Sequence, residues 1–353
     1  MVAAYHFLGT PTPHFWGRAE LRDSAPLLHE ISRYGWLGVE FFFLISGFVI
    51  CMSCWGRTPA QFAVSRIARL FPAYWCAVLL VVLLVLVSRV GHRPAATRID
   101  PRTVLGNLTM APGPLGLDPV DGVSWTLWME ARFYLLMAAL LVFGLTYQRV
   151  VAFCGAWLLT GVIALELHSP LLDEITLTRY TGLFVAGIVL YLMHRFGQNP
   201  LLWLLLGFAW CYQLTVLELR VADHTAVPLG EGRPSWAVCA VVLTLCLGLL
   251  ALAGIGPLAG LRWRWPVTAG ALTYPFYLVH QSLGIPLAKG LLQAFPGLGP
   301  LPSMTLSVIC MVGLSLLVHT LVERRLGRRL RHRLTLDMRP RDLAAQPALT
   351  RTR

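Results

Sequence analysis

The sequence predicts an all-α protein, a polytopic transmembrane helical bundle of about ten helices with its first helix cut short. Three observations predict it. Charged residues make up 13% of the chain, about half of the roughly 25% found in a soluble domain. The apolar residues arrive in long blocks, and Leu70 to Val87 and Val238 to Leu252 are almost uninterrupted; about 18 such residues suffice to cross a bilayer core. The blocks also lack period-2 alternation. Since lipid admits only structures that satisfy their own backbone, helices are favoured over a barrel.

The elements follow in order. A stub at Met1–Leu8 precedes nine expected spans, placed at Leu37–Met52, Pro72–Val90, Trp125–Leu145, Val150–Leu167, Tyr180–Met193, Leu201–Leu219, Ala237–Gly254, Thr268–Leu292 and Met304–Val322. Gly, Pro and Arg punctuate between them, and the longest connectors are Arg89–Pro119 and Ala222–Pro234. Residues 1–333 are expected to form one transmembrane domain. Residues 334–353, rich in Arg, Pro and Ala, read as a disordered tail. No cleavable signal peptide is expected, because the apolar start lacks a basic flank and an A-x-A site.

The net charge of +12 would suggest nucleic acid in a soluble protein, but its placement argues otherwise. Ten arginines fall between Arg324 and Arg353, beginning directly after the last apolar run. That is a cytoplasmic anchor under the positive-inside rule, placed to meet anionic lipid headgroups, and no nucleic-acid partner is expected. The Gly56–Phe71 segment, read as a cytoplasmic loop, carries Arg57, Arg66 and Arg69 and no acid, which agrees. Arg89, Arg93, Arg98 and Arg102 fall on the opposite side, in a connector long enough for the rule to weaken. The eight cysteines lie mostly within apolar runs as buried thiols. Cys51-x-x-Cys54 has redox spacing but no partner ligands.

Ionisable residues inside a span are costly and default to functional candidates. Glu40 lies in GVEFFFLISGFVI, and Glu130 lies in SWTLWMEARFYLL, six residues after Ser124 as expected N-cap. Tyr277 and His280, in LTYPFYLVHQSLG, share a helical face. His6 ends the stub, and Arg66 and Arg69 sit three apart in SRIARLFPAYW, projecting from one face if that stretch is helical. Against this, each acid or histidine could bond across a helix interface and hold the bundle, and Trp125 and Tyr277 could be packing or interface aromatics. Walker loops, nucleophile elbows and clustered His/Cys ligands are missing from the sequence, so no metal is expected.

Six segments taken in order, AAYHF, GVEFFFLISGF, RIARLFPAYW, SWTLWMEARFY, YPFYLVH and a last helix ending in Glu323-Arg324, resemble the acyltransferase 3 family. Its members are membrane-bound O-acyltransferases of bacterial polysaccharides, lipopolysaccharide, Nod factors and macrolides. The resemblance implies ten transmembrane helices in the bacterial inner membrane and a cytoplasmic acyl-CoA, usually acetyl-CoA, as co-substrate with no bound cofactor. It implies a carbohydrate or glycan-type acceptor. It assigns His6 as general base or transient acyl carrier, with Glu130 orienting an imidazole or binding acceptor hydroxyls. Arg66 and Arg69 would meet the CoA phosphates, and Ser124, Trp125, Tyr277 and His280 would line the cavity. Glu40 is left open between a catalytic and a structural role. The family carries a basic residue about ten positions before its histidine, whereas five residues precede His6 here, so an upstream start with Met1 internal is expected. A transporter or flippase of lipid-linked glycans is the alternative, although no internal symmetry is visible to support it.

Overall fold

The computed structural model describes residues 1–9, 25–87, 100–225, 234–260 and 265–336. Arg89, Arg93, Arg98, most of the Ala222–Pro234 connector and the tail beyond Leu336 lie outside these residues. The chain is an all-α polytopic bundle, and eight helices among the described residues are long and apolar enough to cross a membrane.

The first helix, α1, is a single α-turn, Val2–Ala4, continued by a π-helical turn at Tyr5–Gly9. A short α2 (Pro26–Ser32) packs against it. Three spans, α3 (Leu37–Cys54), α4 (Pro59–Val87) and α6 (Trp125–Val142), follow. Between the last two lies α5 (Pro101–Leu108). It folds back on α4, because Tyr74 and Trp75 donate to the carbonyls of Asn107 and Leu108 at 2.7 and 2.9 Å. Asp100 caps α5 by accepting from the Thr103 N–H. That backbone bond holds the Asp100 carboxyl below its ordinary value. Then come α7 (Tyr147–Leu167), the short α8 (Pro170–Thr176), α9 (Thr181–Phe196), α10 (Pro200–Thr225) and α11 (Trp236–Gly254).

The helix α9 is the axis of the bundle, buried at every position from Thr181 to Met193. Its small residues make this possible. A Cβ on Gly47 of α3 would lie 2.2 Å from the Phe184 carbonyl, and one on Gly187 would lie 2.1 Å from the Leu44 carbonyl. Two backbones therefore touch where lipid gives no hydrophobic drive to pack and close approach must supply the contact. Around that contact Phe184 stacks on Phe133 at 4.2 Å and on Trp157 at 6.0 Å.

Two expectations about spans need correction. The second span begins at Pro59 rather than Pro72, so Arg66 and Arg69 sit on a helix and not in a loop. Pro72 lies inside that helix and has no N–H for the Ala68 carbonyl. The expected span Thr268–Leu292 is divided into α12 (Trp265–Val279) and α13 (Gly284–Ala294). Pro275 already weakens the ladder of α12, and the interruption falls at residues 280–283, starting on His280.

The last span, α14 (Pro300–Leu317), continues through a π-helical stretch, Val318–Glu323, into α15 (Arg324–Leu336). Residues 334–336, expected to begin a disordered tail, are helical. This basic helix packs along α4. Gly327 makes the approach possible, since a Cβ there would lie 2.7 Å from the Ala68 carbonyl that Pro72 cannot serve.

Alternation of helix direction divides the bundle into two faces. One carries α15, the start of α4 and the end of α9, where Arg195 lies 4.9 Å over Trp55. The opposite face carries the starts of α3, α6 and α9 and the end of α10. There Tyr212 donates to the Thr178 carbonyl at 2.7 Å, and Ser235 N–H donates to Tyr34 Oη at 3.1 Å.

Candidate active site

The interruption at His280 brings α1 and α12 together. The rings of His6 and His280 lie 5.4 Å apart, and Tyr277 lies 5.7 Å from His280, so the shared face read from the sequence is present. His6 occupies the π turn of α1, a distortion frequent where a helix serves function. His280 is 1% exposed. Its Nδ1–H donates to the Tyr277 carbonyl at 2.7 Å, which fixes the tautomer and leaves Nε2 as the acceptor. That Nε2 is buried with no hydrogen-bond partner among the described residues. Tyr277 Oη and Thr126 Oγ1 are hydrogen-bonded to each other at 2.7 Å, and both hydroxyls lie 3.0 Å from the Val123 carbonyl. The interrupted segment is also tied to the turn before α6, where Ser282 donates to Asp121.

Glu130 belongs to a second polar cluster nearer the middle of α6. It is buried, accepting from Tyr134 at 2.6 Å and from Ser46 of α3 at 3.4 Å. The Arg66 guanidinium lies 5.9 Å over the Tyr134 ring, and both Arg66 and Arg69 act electrostatically on Glu130. Glu130 is thus placed with Tyr134 and Ser46, while the imidazole neighbour of His6 is His280.

A third cluster surrounds Glu40. It is 0% exposed and accepts from Arg220 Nε at 3.0 Å, with Arg220 8% exposed. The Arg220 guanidinium also lies 5.1 Å over Tyr180 and 3.6 Å from Asp223. Arg220 forms one wall of a cavity of ≈ 380 Å³, along with Trp125, Arg132, Asp173, Glu174 and Tyr180. This cavity lies on the face opposite α15. Of the expected cavity residues, Trp125 lines it. Ser124 stands at the N-cap position of α6 as expected but makes no side-chain capping bond; its Oγ donates to the Asp121 carbonyl at 2.8 Å. Among the described residues no group of three His, Cys, Asp or Glu gathers to hold a metal ion.

A family profile described as an acyltransferase domain, that of acyltransferase 3, matches residues 1–320. The chain belongs to this family. This acyltransferase 3 protein is 28% identical over 317 residues to the exopolysaccharide production protein ExoZ of Rhizobium meliloti (strain 1021), a match covering 85% of this chain and 92% of ExoZ. No solved structure matches it. The chain is a multi-pass membrane acyltransferase.

Several residues of this acyltransferase escaped the sequence reading. Arg220 sits one residue beyond the expected end of its span, and its partner Glu40 is 180 positions away. Asp121 and Ser282 are polar residues in segments that read as connector and as span. For Arg220 a signal existed, because an acid as deep as Glu40 requires a counter-charge from another helix.

Proposed function

We propose that the protein is an O-acyltransferase of the bacterial inner membrane, with a cytoplasmic C-terminus. It moves an acyl group, acetyl, from cytoplasmic acyl-CoA to a hydroxyl of a polysaccharide-type acceptor. The observation that carries this reading is the His6–His280 pair, two imidazoles 5.4 Å apart inside a membrane bundle. Family membership supports acyl transfer, and the similarity to an exopolysaccharide production protein supports a carbohydrate acceptor.

In this reading the acceptor oxygen attacks the thioester carbonyl as His6 takes its proton. The C–S bond breaks, and the proton passes to the departing CoA thiolate. A histidine suits the task because its ordinary pKa lies near operating pH. His280, fixed in one tautomer, holds His6 in place and can accept a proton at Nε2. Tyr277 and Thr126 set the angle of that ring. Glu130, held by Tyr134 and Ser46, faces the donor side with Arg66 and Arg69, where guanidinium groups meet CoA phosphates. Glu40 serves the fold through Arg220, and Trp125 lines the acceptor cavity.

The test is transfer of labelled acetyl from acetyl-CoA to bacterial exopolysaccharide fragments by the purified protein in nanodiscs. Label in the carbohydrate, lost in His6→Ala, is the expected result. Full transfer by His6→Ala would remove that residue from the mechanism, and label from no acyl-CoA would remove the donor. A transporter draws on one observation, the interrupted helix at residues 280–283; glycan translocation without acyl-CoA would favour it.

A further inference from the structure

The turn between α3 and α4 gathers positive charge. Arg57 Nη1 donates to Ser65 Oγ at 3.2 Å, and Arg66 Nη2 donates to the same oxygen at 3.1 Å. A serine hydroxyl orients two guanidinium groups but neutralises neither. Arg66 is further held by the rings of Phe62 and Tyr134, 5.7 and 5.9 Å away, and its buried Nε has no hydrogen-bond partner among the described residues.

The C-terminal helix adds to this charge. Gly327 seats α15 on the Ala68 carbonyl, and one turn later Arg331 lies within electrostatic reach of Arg57. Burial first, then the charges of Arg66 and Arg331, push the Arg57 guanidinium below its ordinary value. Among the described residues no carboxylate forms an ion pair with these three arginines. The carboxylate that acts on Arg66 is Glu130, which already accepts from Tyr134 and Ser46. Like charges brought together at such a cost are stabilised by an anion, and planar guanidinium forks match phosphate best. The site is not confined to the family-matched region, which ends at residue 320.

We propose that Arg57 and Arg66, gathered on Ser65, form with Arg331 of the C-terminal helix a phosphate-binding site. The assignment of its phosphate to CoA rests on the donor role given to Arg66 above; an anionic lipid headgroup carries the same chemistry.

The test uses the full chain in phosphatidylcholine nanodiscs, with CoA binding followed by calorimetry. Arg57→Gln and Arg331→Gln should each weaken CoA by about tenfold, the loss of one charged hydrogen bond. Arg333→Gln, an exposed position on the same helix, should change it less than about twofold. Melting temperatures of all three should match the parent. A second arm counts phosphatidylglycerol retained by the same proteins in mass spectra. Loss of lipid with CoA affinity unchanged makes the headgroup the source of the phosphate. Equal loss in Arg333→Gln, or no loss in either arm, overturns the site. A parent protein that binds no CoA sinks the donor reading, and the lipid arm then decides the site alone.

Discussion

At the scale of single residues, the response of a buried polar group to substitution depends on the partners it holds. His6→Ala should lower the transfer rate about 10²–10⁴-fold, the usual share of a positioned base, with the melting temperature held. His280→Ala should do nearly as much, whereas His280→Gln should retain more, because an amide can still donate to the Tyr277 carbonyl. Steady-state rates with acetyl-CoA check both. Glu40 and Arg220 should behave differently. Removing one member of a buried ion pair leaves a charge without compensation and costs about 3–5 kcal/mol. Glu40→Gln or Arg220→Met should therefore unfold well before the parent in detergent, and the double substitution should recover part of the loss. Equal melting of the single and double variants would show that the pair is not coupled.

At the scale of elements, the spans were legible and their ends were not. An apolar run reports burial in lipid, so it located α3, α6 and α9 to within a few residues. It is silent about a helix that continues into water. The basic stretch from Pro59 to Arg69 therefore read as a loop, and Arg324–Leu336 read as an anchor followed by a tail. It also missed the interruption at His280, because the polar residues His280, Gln281 and Ser282 are flanked on both sides by apolar ones that read as one continuous span. The contact between α3 and α9 gives the sharpest prediction at this scale. Gly187→Ala places a Cβ 2.1 Å from a backbone oxygen that no rotamer change can move. It should cost about 1–3 kcal/mol, seen as a lower melting temperature. Gly248→Ala has open space around it and should be neutral or slightly stabilising by helix propensity.

For the whole molecule, order along the chain exposed the site better than any one motif did. His6, Arg66, Glu130 and Tyr277 were each ambiguous as isolated residues in a membrane segment. Their sequence order identified the family, but the pairings needed three dimensions, because His6 with His280 and Glu40 with Arg220 join distant parts of the chain. Two faces follow from the alternation of helices, and they can be checked directly. In a cysteine-free background, Gln198→Cys and Glu166→Cys, both exposed near helix ends, should react with an impermeant maleimide from opposite sides of sealed vesicles. Labelling of both from one side would contradict the arrangement.

The π-helical stretch Val318–Glu323 has a consequence for how this chain tolerates insertion and deletion. A π turn takes in one residue more than an α turn, so everything after it is rotated by about 100° relative to a regular helix. Deleting Thr320 would let the stretch revert to α-helix and turn Arg324–Leu336 by that angle. Gly327 would leave the Ala68 carbonyl, and Arg331 would swing away from Arg57, with no charged residue changed. The phase of one helix, set by a single extra residue in the membrane, decides which side of the basic helix meets the bundle.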